Sequence, residues 1–570
     1  MKRAAALTAL LTALAGYVFL QTAPPPVPLA ALMPGGAALY LEARDFSRLL
    51  REWDASPVKA GWLASENFAV FSRSNLLQKL QGVYGEYGAA AGFLPGVPGV
   101  LGIAGTQSAL ALYDLREVEF LYVTRIGEAQ VSRSPLWAVR DRFDRRQAGG
   151  VTFYLRRDPA SQRTVAFALA NGWLFLATRD DLVARALALL AGGRDPSIAS
   201  DRWYREAVAA SPQAGELRMV LNLESLAGSV SFRSYWIQRN VSALRAYWTG
   251  VADVRRSRTA ITESRVFLRQ PDAPVPAADS SVAALVPLVP PDAGFYRAAG
   301  GQSAADVAAL LVHKLVAPPA SESGNLSYAP EAVFPDERAG AESDLETRID
   351  EPPLPAGAGL SEAIARLQSV LERNPVRAVL QVQSSASAGG PFIRTPAVIV
   401  LAGSAPWDAA EVRGALASAA APLWTASGLG AGWIPGTAGR HAVEQLDGLG
   451  SLMFLVRGPL LFVAGDAGLL ASVLDRAGSA APQTGAITRA AGFRHTRERR
   501  NFERVMAALD SSSPGPDTGF GFLRAGSQPP LFSGNLAGLS RVLSGISEVL
   551  VTEESTEAEL RQTVAYRLQP

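Results

Sequence analysis

Cysteine does not occur anywhere in the 570-residue chain. That excludes disulfides, thiolate metal centres, a cysteine nucleophile and a lipid-modified N-terminal cysteine. Histidine is almost as scarce, with only His313, His441 and His495. None of them has a second histidine or a carboxylate nearby at metal-ligand spacing, and no His-Glu-x-x-His occurs, so each reads as an isolated surface residue. Lysine is confined to Lys2, Lys59, Lys79 and Lys314, and arginine carries nearly all the positive charge. Basic and acidic residues balance to a formal net charge of +2, so no bulk field exists to attract nucleic acid, which is excluded as a partner.

Catalytic motifs are lacking as well. Ser56-Pro57-Val58-Lys59 fits Ser-x-x-Lys, which places a nucleophile and a proton-transfer lysine one helical turn apart, but its Lys-Thr-Gly companion is missing. An ordinary turn or helix start accounts for it better. There is no Gly-x-Ser-x-Gly elbow and no phosphate-binding loop. Gly428-Leu429-Gly430-Ala431-Gly432 lacks the spacing and the strand–turn–helix setting of a dinucleotide fingerprint. Glu553 and Glu554 are adjacent and do not by themselves form a catalytic dyad. The sequence therefore assigns no catalytic, cofactor-binding or metal residue, implies no cofactor, and reads as a non-enzyme.

What is present is a globular composition, 48% apolar and 19% charged, in a chain long enough for two or more domains. Lys2 and Arg3 precede the uncharged stretch Ala4–Leu20 and the proline-rich run 24–28, the pattern of an export segment. Residues 1–28 read either as a signal peptide cleaved after Ala23 or as a retained signal anchor with a stiff spacer. The implied location is the cell envelope: anchored in the inner membrane facing the periplasm, or periplasmic or secreted after cleavage.

The remainder reads twice. Met33–Tyr40 parallels Pro290–Tyr296, each a turn feeding a short apolar strand. A helix follows each, over Phe46–Trp53 and Ser303–Leu315. Val118–Val123 parallels Ala397–Ala402, followed by helices over Pro135–Phe143 and Trp407–Ala421. Asn171–Ala177 matches Arg457–Val463, each entering a helix, Asp181–Leu190 or Ala467–Asp475. Val220–Leu223 pairs with Gly521–Leu523, and Ser264–Leu268 with Thr563–Arg567. Order preserved over nearly the whole chain points to duplication. Short turns between successive strands require antiparallel pairing, with helices following groups of strands. The expected fold is thus α+β: two tandem duplicated units of antiparallel sheet with packed helices behind the N-terminal apolar segment. The repeats span 29–270 and 285–570, with a proline-rich linker at 271–284. An insertion at 318–355, nine acidic residues against Arg338 and Arg348, reads as a flexible loop.

Two segments offer surfaces. Ala89–Gly105 carries no charge, and Pro95 and Pro98 bar a regular spanning helix, so it reads as a buried helix–loop, a ligand flap or a membrane-dipping loop. Arg494–Arg500 is a basic stretch that suits either a solvated helix or an anionic headgroup.

The opening Leu32-Met33-Pro34 through Leu41, the helix Phe46–Trp53 and the units Trp173–Leu190 and Val220–Leu226 resemble an uncharacterised family of bacterial exported proteins known only as a domain of unknown function. The resemblance implies architecture and envelope location and carries no functional residues. The expected function is a non-enzymatic interaction or scaffold protein of the envelope, reaching the membrane through its N-terminal segment and partnered by envelope proteins or lipids. The alternative is a periplasmic binding module for an apolar ligand such as a lipid.

Overall fold

The computed structural model describes residues 28–64, 68, 72, 75–93, 96–229, 244–273, 281–316, 358–384, 396–424, 432–447, 451–479, 487–498 and 545–569. The N-terminal apolar segment, the acidic insertion and Gly521–Leu523 lie outside the described residues.

From the N-terminus run β1 (Leu39–Ala43), α1 (Phe46–Asp54), α2 (Pro57–Leu63), α3 (Asn75–Ala91), β2 (Gln107–Asp114) and β3 (Glu119–Arg125). Next come β4 (Asp144–Ala148), β5 (Val151–Arg157), β6 (Thr164–Ala170), β7 (Trp173–Ala177), α4 (Asp180–Leu190) and α5 (Arg202–Ala210). Then follow β8 (Leu217–Asn222), β9 (Tyr247–Arg256) and β10 (Ala260–Arg269). The later part has β11 (Phe295–Gly300), α6 (Ala304–Leu311), α7 (Ala358–Arg373), β12 (Val376–Gln383), β13 (Ala397–Gly403) and α8 (Ala409–Trp424). It ends with β14 (Gly432–Ala438), β15 (His441–Asp447), β16 (Ser451–Arg457), β17 (Leu460–Ala464), α9 (Ala467–Ser479), β18 (Ile487–Phe493), β19 (Ile546–Ser555) and β20 (Glu559–Leu568). The protein is α+β, and its strand pairs run antiparallel.

The chain divides into two compact units, one of residues up to Tyr40 with Glu86–Arg205, the other of Leu41–Gly85 with Glu206–Pro570. In the first, the strand order is β4-β5-β6-β7-β3-β2. Two-residue turns close its hairpins: Gly149-Gly150 between β4 and β5, and Asn171-Gly172 between β6 and β7, all at positive φ. Those left-handed pairs match the twist of the strands they join. On one face Phe143, Phe167 and Leu174 pack with Ala90 and Leu136. Across β6 and β7, α4 buries Leu182, Val183, Ala186 and Leu187, the side set by the apolar spacing of its sequence.

The second unit orders its strands β8-β9-β10-β20-β19-β18-β11-β12-β13-β17-β16-β15-β14. Every residue of β13, Ala-Val-Ile-Val-Leu-Ala-Gly, is buried. The alternation explains it. Val379, Ile399, Leu401, Phe454 and Val463 join the core with α6, α7 and α8. Leu380, Val398, Val400, Met453 and Phe462 join the opposite core with the helix Ser281–Leu285 and α9. A strand covered on both faces needs an unbroken apolar run, and this sequence supplies one.

Three expectations are corrected. The helix over Pro135–Phe143 stops at Ala138 and passes through a 3-10 turn, Arg140–Arg142. Phe143 then leaves in extended conformation and is buried against Phe167, at 5.2 Å between ring centres. The stretch 271–284 is not linker throughout, since Ser281 opens a helix whose Val282, Ala283 and Leu285 are core. Nor does the division into compact units follow that stretch. The pairing of β10 with β20, from Ala260↔Arg567 to Leu268↔Glu559, carries main-chain hydrogen bonds across it.

Candidate functional site

Ser56 and Lys59 do not form a reactive pair. Ser56 is the N-cap of α2: its Oγ accepts from Lys59 N–H at 3.1 Å and donates to Trp53 C=O at 2.9 Å. The Lys59 ammonium is paired with Asp54. Ser56→Ala is therefore expected to cost α2 about 1 kcal/mol. Faster amide hydrogen exchange confined to residues 57–63 would record it, with no loss of any activity.

The histidines differ from the surface reading in two cases of three. His313 is exposed in a π-helical turn, Val312–Val316. His495 is buried, edge-on to Phe493 at 6.0 Å. His441 is held between Asp475 Oδ1, 2.9 Å from Nε2, and an Arg457 guanidinium nitrogen, 2.9 Å from Nδ1. Arginine can only donate, so in this geometry Nδ1 accepts from Arg457 and Nε2 faces the Asp475 carboxylate. That bond from His441, with Arg440 3.0 Å away, holds the Asp475 carboxyl below its ordinary range. An aspartate–histidine pair normally aims its free nitrogen at a nucleophile; here a guanidinium occupies that place. Sequence spacing could not reveal this cluster, because Asp475 lies on α9 and His441 opens β15. Among the described residues, no three of His, Asp and Glu are placed to hold a metal ion.

Arg494 is internal. Its guanidinium donates to the carbonyls of Pro291 and Ala293 and pairs with Glu548 at 3.1 Å. Arg567 holds the other Glu548 oxygen at 2.9 Å. Arg499 and Arg500 lie outside the described residues. Within the uncharged stretch Ala89–Gly105, Ala90 and Ala104 are fully covered, and Phe93 and Ile103 pack against the first unit's core. Gly105 is required, because a Cβ there would stand 2.1 Å from Arg125 C=O.

The buried Arg218–Asp253 ion pair was not singled out by sequence. Arg218 and Asp253 face each other across β8 and β9. Asp253 Oδ1 accepts from Arg218 Nε at 2.9 Å and Gly215 N–H at 2.8 Å, and Oδ2 accepts from Arg218 at 2.8 Å and the Ser211 hydroxyl at 2.8 Å. Burial alone would raise the Asp253 pKa. The bonds from Arg218, Gly215 and Ser211 outweigh it and hold the carboxyl below its ordinary value. Every lone pair is engaged, so the pair acts as a structural clasp.

One surface stands apart. α1 carries Phe46, Leu49, Leu50 and Trp53 on one helical side, and no residue of α1 or α2 is buried. Trp53, Val58 and Leu63 are 50%, 44% and 47% exposed. A closed ring of charges fixes α1 from another side. Arg48 meets Glu52 at 2.9 Å, Glu52 meets Arg256 at 2.7 Å, Arg256 meets Glu216 at 2.6 Å, and Glu216 returns to Arg48 at 3.3 Å. Hydrogen bonds from Arg256 and Arg48 hold the Glu52 carboxyl below its ordinary range. Glu216 is lowered as well, against the effect of its burial, by the same two arginines. Asp45 caps α1 through Arg48 N–H at 3.0 Å. Both helices are thus held in shape by caps and ion pairs, with Trp53, Val58 and Leu63 at the surface.

No protein-family model matches the chain, and no curated protein matches it either. Among solved structures it is similar to crystal form I of TP0453, at 12% identity over 42% of this chain and 78% of that one, with a TM-score of 0.24. Crystal form IV of TP0453 gives 11% identity, 42% and 80% coverage, and the same TM-score of 0.24. A likeness this distant carries no functional conclusion.

Proposed function

We propose that the protein is a non-enzymatic scaffold of the cell envelope, made of one α+β unit repeated in tandem and brought to the membrane by residues 1–28. The observation that carries the tandem reading is the meeting of two hairpins. β9–β10 and β19–β20 are pairs of ten-residue strands with three-residue loops. Ser257 N–H bonds Ala260 C=O, and Thr556 N–H bonds Glu559 C=O, each at 2.8 Å. The sequence offset that takes Ala260 to Glu559 takes Leu268 to Arg567 and Ser264 to Thr563. Ala260 pairs with Arg567, Leu268 with Glu559, and Ser264 with Thr563 itself. The register is therefore that of a two-fold axis through Ser264 and Thr563. The order β4-β5-β6-β7-β3-β2 recurs as β14-β15-β16-β17-β13-β12, and β8-β9-β10 as β18-β19-β20.

A scaffold reading also agrees with how the polar motifs are used. Ser56, Lys59, His441 and Arg494 each bond to their own chain. In the second repeat, Phe454 and Phe462 occupy the two faces of the sheet, the volume a carrier would reserve for its ligand. Affinity capture from native membranes, followed by identification of proteins and lipids, is expected to return a stoichiometric protein partner. A stoichiometric apolar lipid would favour the binding-module alternative. Turnover of an envelope substrate, lost on Ser56→Ala, His313→Ala, His441→Ala or His495→Ala, would displace both.

A further inference from the structure

We infer that one face of the sheet at β11 and β18 carries a binding site for a singly charged oxyanion, held by Arg297 and Arg489 with the Gln381 amide beside them. The site is separate from the scaffold role proposed above and does not depend on it.

Strand register brings these residues together. Arg297 of β11 is opposite Gln381 of β12 on one side and Ala491 of β18 on the other. Ala299, two residues on, is opposite Arg489, and Arg489 is opposite Glu553 of β19. Residues that pair directly, or that stand two apart on one strand, share a face of the sheet. Gln381, Arg297, Ala299, Ala491, Arg489 and Glu553 are therefore on one face. The two arginines occupy one diagonal of a square, and the other diagonal holds only alanine methyls.

Charge at this square does not balance. Arg489 pairs with Glu553 at 3.2 Å. Among the described residues, the Arg297 guanidinium has neither an ion pair nor a hydrogen bond. Two guanidiniums thus share one carboxylate, an excess of one positive charge. Partial burial, and then the Arg489 charge, hold the Arg297 pKa below its ordinary value, and Glu553 offsets them only in part. Arg265 and Arg413, each hydrogen-bonded to a carboxylate, are raised instead. Gln381 is a second mark, independent of charge. It is 8% exposed, and its amide has no hydrogen-bond partner among the described residues. Buried amides are normally paired. The Gln381 amide atoms are not sealed from solvent, so a ligand can reach them. An oxyanion at Arg297 supplies the acceptor that the amide NH2 lacks. Since the excess is one charge, a carboxylate or a phosphodiester neutralises the square, and either presents two oxygens to a guanidinium fork. The adjoining row on the same face, Phe295, Phe493 and Val549, is apolar and half-buried, which suits an acid carrying an alkyl chain.

The test is isothermal titration of the full chain with octanoate, with dimethyl phosphate and, as the uncharged counterpart, with methyl octanoate. One equivalent of octanoate or dimethyl phosphate is expected to bind, and the tighter of the two tells whether the oxyanion is a carboxylate or a phosphodiester. Arg297→Gln and Gln381→Leu should each weaken binding about tenfold, the worth of a hydrogen bond to a charged group. Arg258→Gln removes an equal charge from the exposed β9–β10 turn and should change nothing. Arg297 has no counter-charge of its own, so Arg297→Gln should leave the ligand-free urea midpoint no lower than the parent's. If Gln381→Leu folds poorly, Arg297→Gln alone decides. Several results overturn the site: no saturable binding of either anion, methyl octanoate binding as tightly as octanoate, or an equal loss on Arg258→Gln and Arg297→Gln. Binding untouched by Arg297→Gln places the anion elsewhere and overturns it too. A lowered urea midpoint for that variant makes Arg297 a structural residue, with the same consequence.

Discussion

Asp253→Ala is expected to destabilise the unit that contains it by about 3–5 kcal/mol, because it strands a buried guanidinium. Arg218 and Asp253 are 6% and 0% exposed, so solvent cannot take over the lost partner. The Gly215 N–H and the Ser211 hydroxyl lose their acceptor in the same step. Replacing both charges, Arg218→Leu with Asp253→Leu, is expected to cost less than Asp253→Ala alone, since no charge then stays buried. A double-mutant cycle in urea reads the difference. The native Asp253 pKa lies below its unfolded value, so the unfolded chain binds the proton more readily. The stabilisation is therefore complete above the unfolded value, about 3.9, and is lost as pH falls through the native value. Below about pH 4 the parent should weaken toward the Leu–Leu variant, whose stability has no such contribution. A gap between them that stays constant from neutral pH into acid would refute the clasp.

Phe462→Ala is expected to cost about 3–5 kcal/mol, the range for removing a fully buried aromatic ring. Phe462 sits on β17 opposite Val400 of β13 and Leu455 of β16, in the core that also holds Met453, Leu470 and Val473. Its backbone is bonded to strands on both sides, so the strand cannot move inward and a cavity remains. Phe462→Leu should recover more than half of the loss, because it returns most of the volume. Ile434→Ala on the exposed β14 should stay within about 0.5 kcal/mol. Urea midpoints of the three variants give the comparison. Equal midpoints for Phe462→Ala and Ile434→Ala would mean that the two-faced core does not bear the stability assigned to it.

Much of the fold was legible in local pattern. The strand read within Asn171–Ala177 is β7, Trp173–Ala177, and the helix read at Asp181–Leu190 is α4, Asp180–Leu190. Turn glycines at 149, 150, 172 and 458 mark hairpins through their positive φ, a local property. The misread elements share a cause. Residues 135–143 have helical spacing, but tertiary packing draws Phe143 out of the helix. His495 sits among arginines in sequence, yet Arg494 fastens that segment onto the carbonyls of Pro291 and Ala293. Neither outcome is written in the neighbours along the chain.

The sequence by itself determined the chemistry excluded by the missing cysteine, the antiparallel habit of the strands, and the apolar side of each helix. All three depend on residue type and on spacings of a few residues. Only the tertiary structure decided which charges are clasped and which apolar sides stay open. Arg218 meets Asp253, and His441 meets Asp475, across segments whose separation carries no periodic signal. α1 reads like any core helix, because amphipathic spacing says which side is apolar and nothing about what covers it. That depends on which elements arrive there, and Trp53, Val58 and Leu63 stay 50%, 44% and 47% exposed.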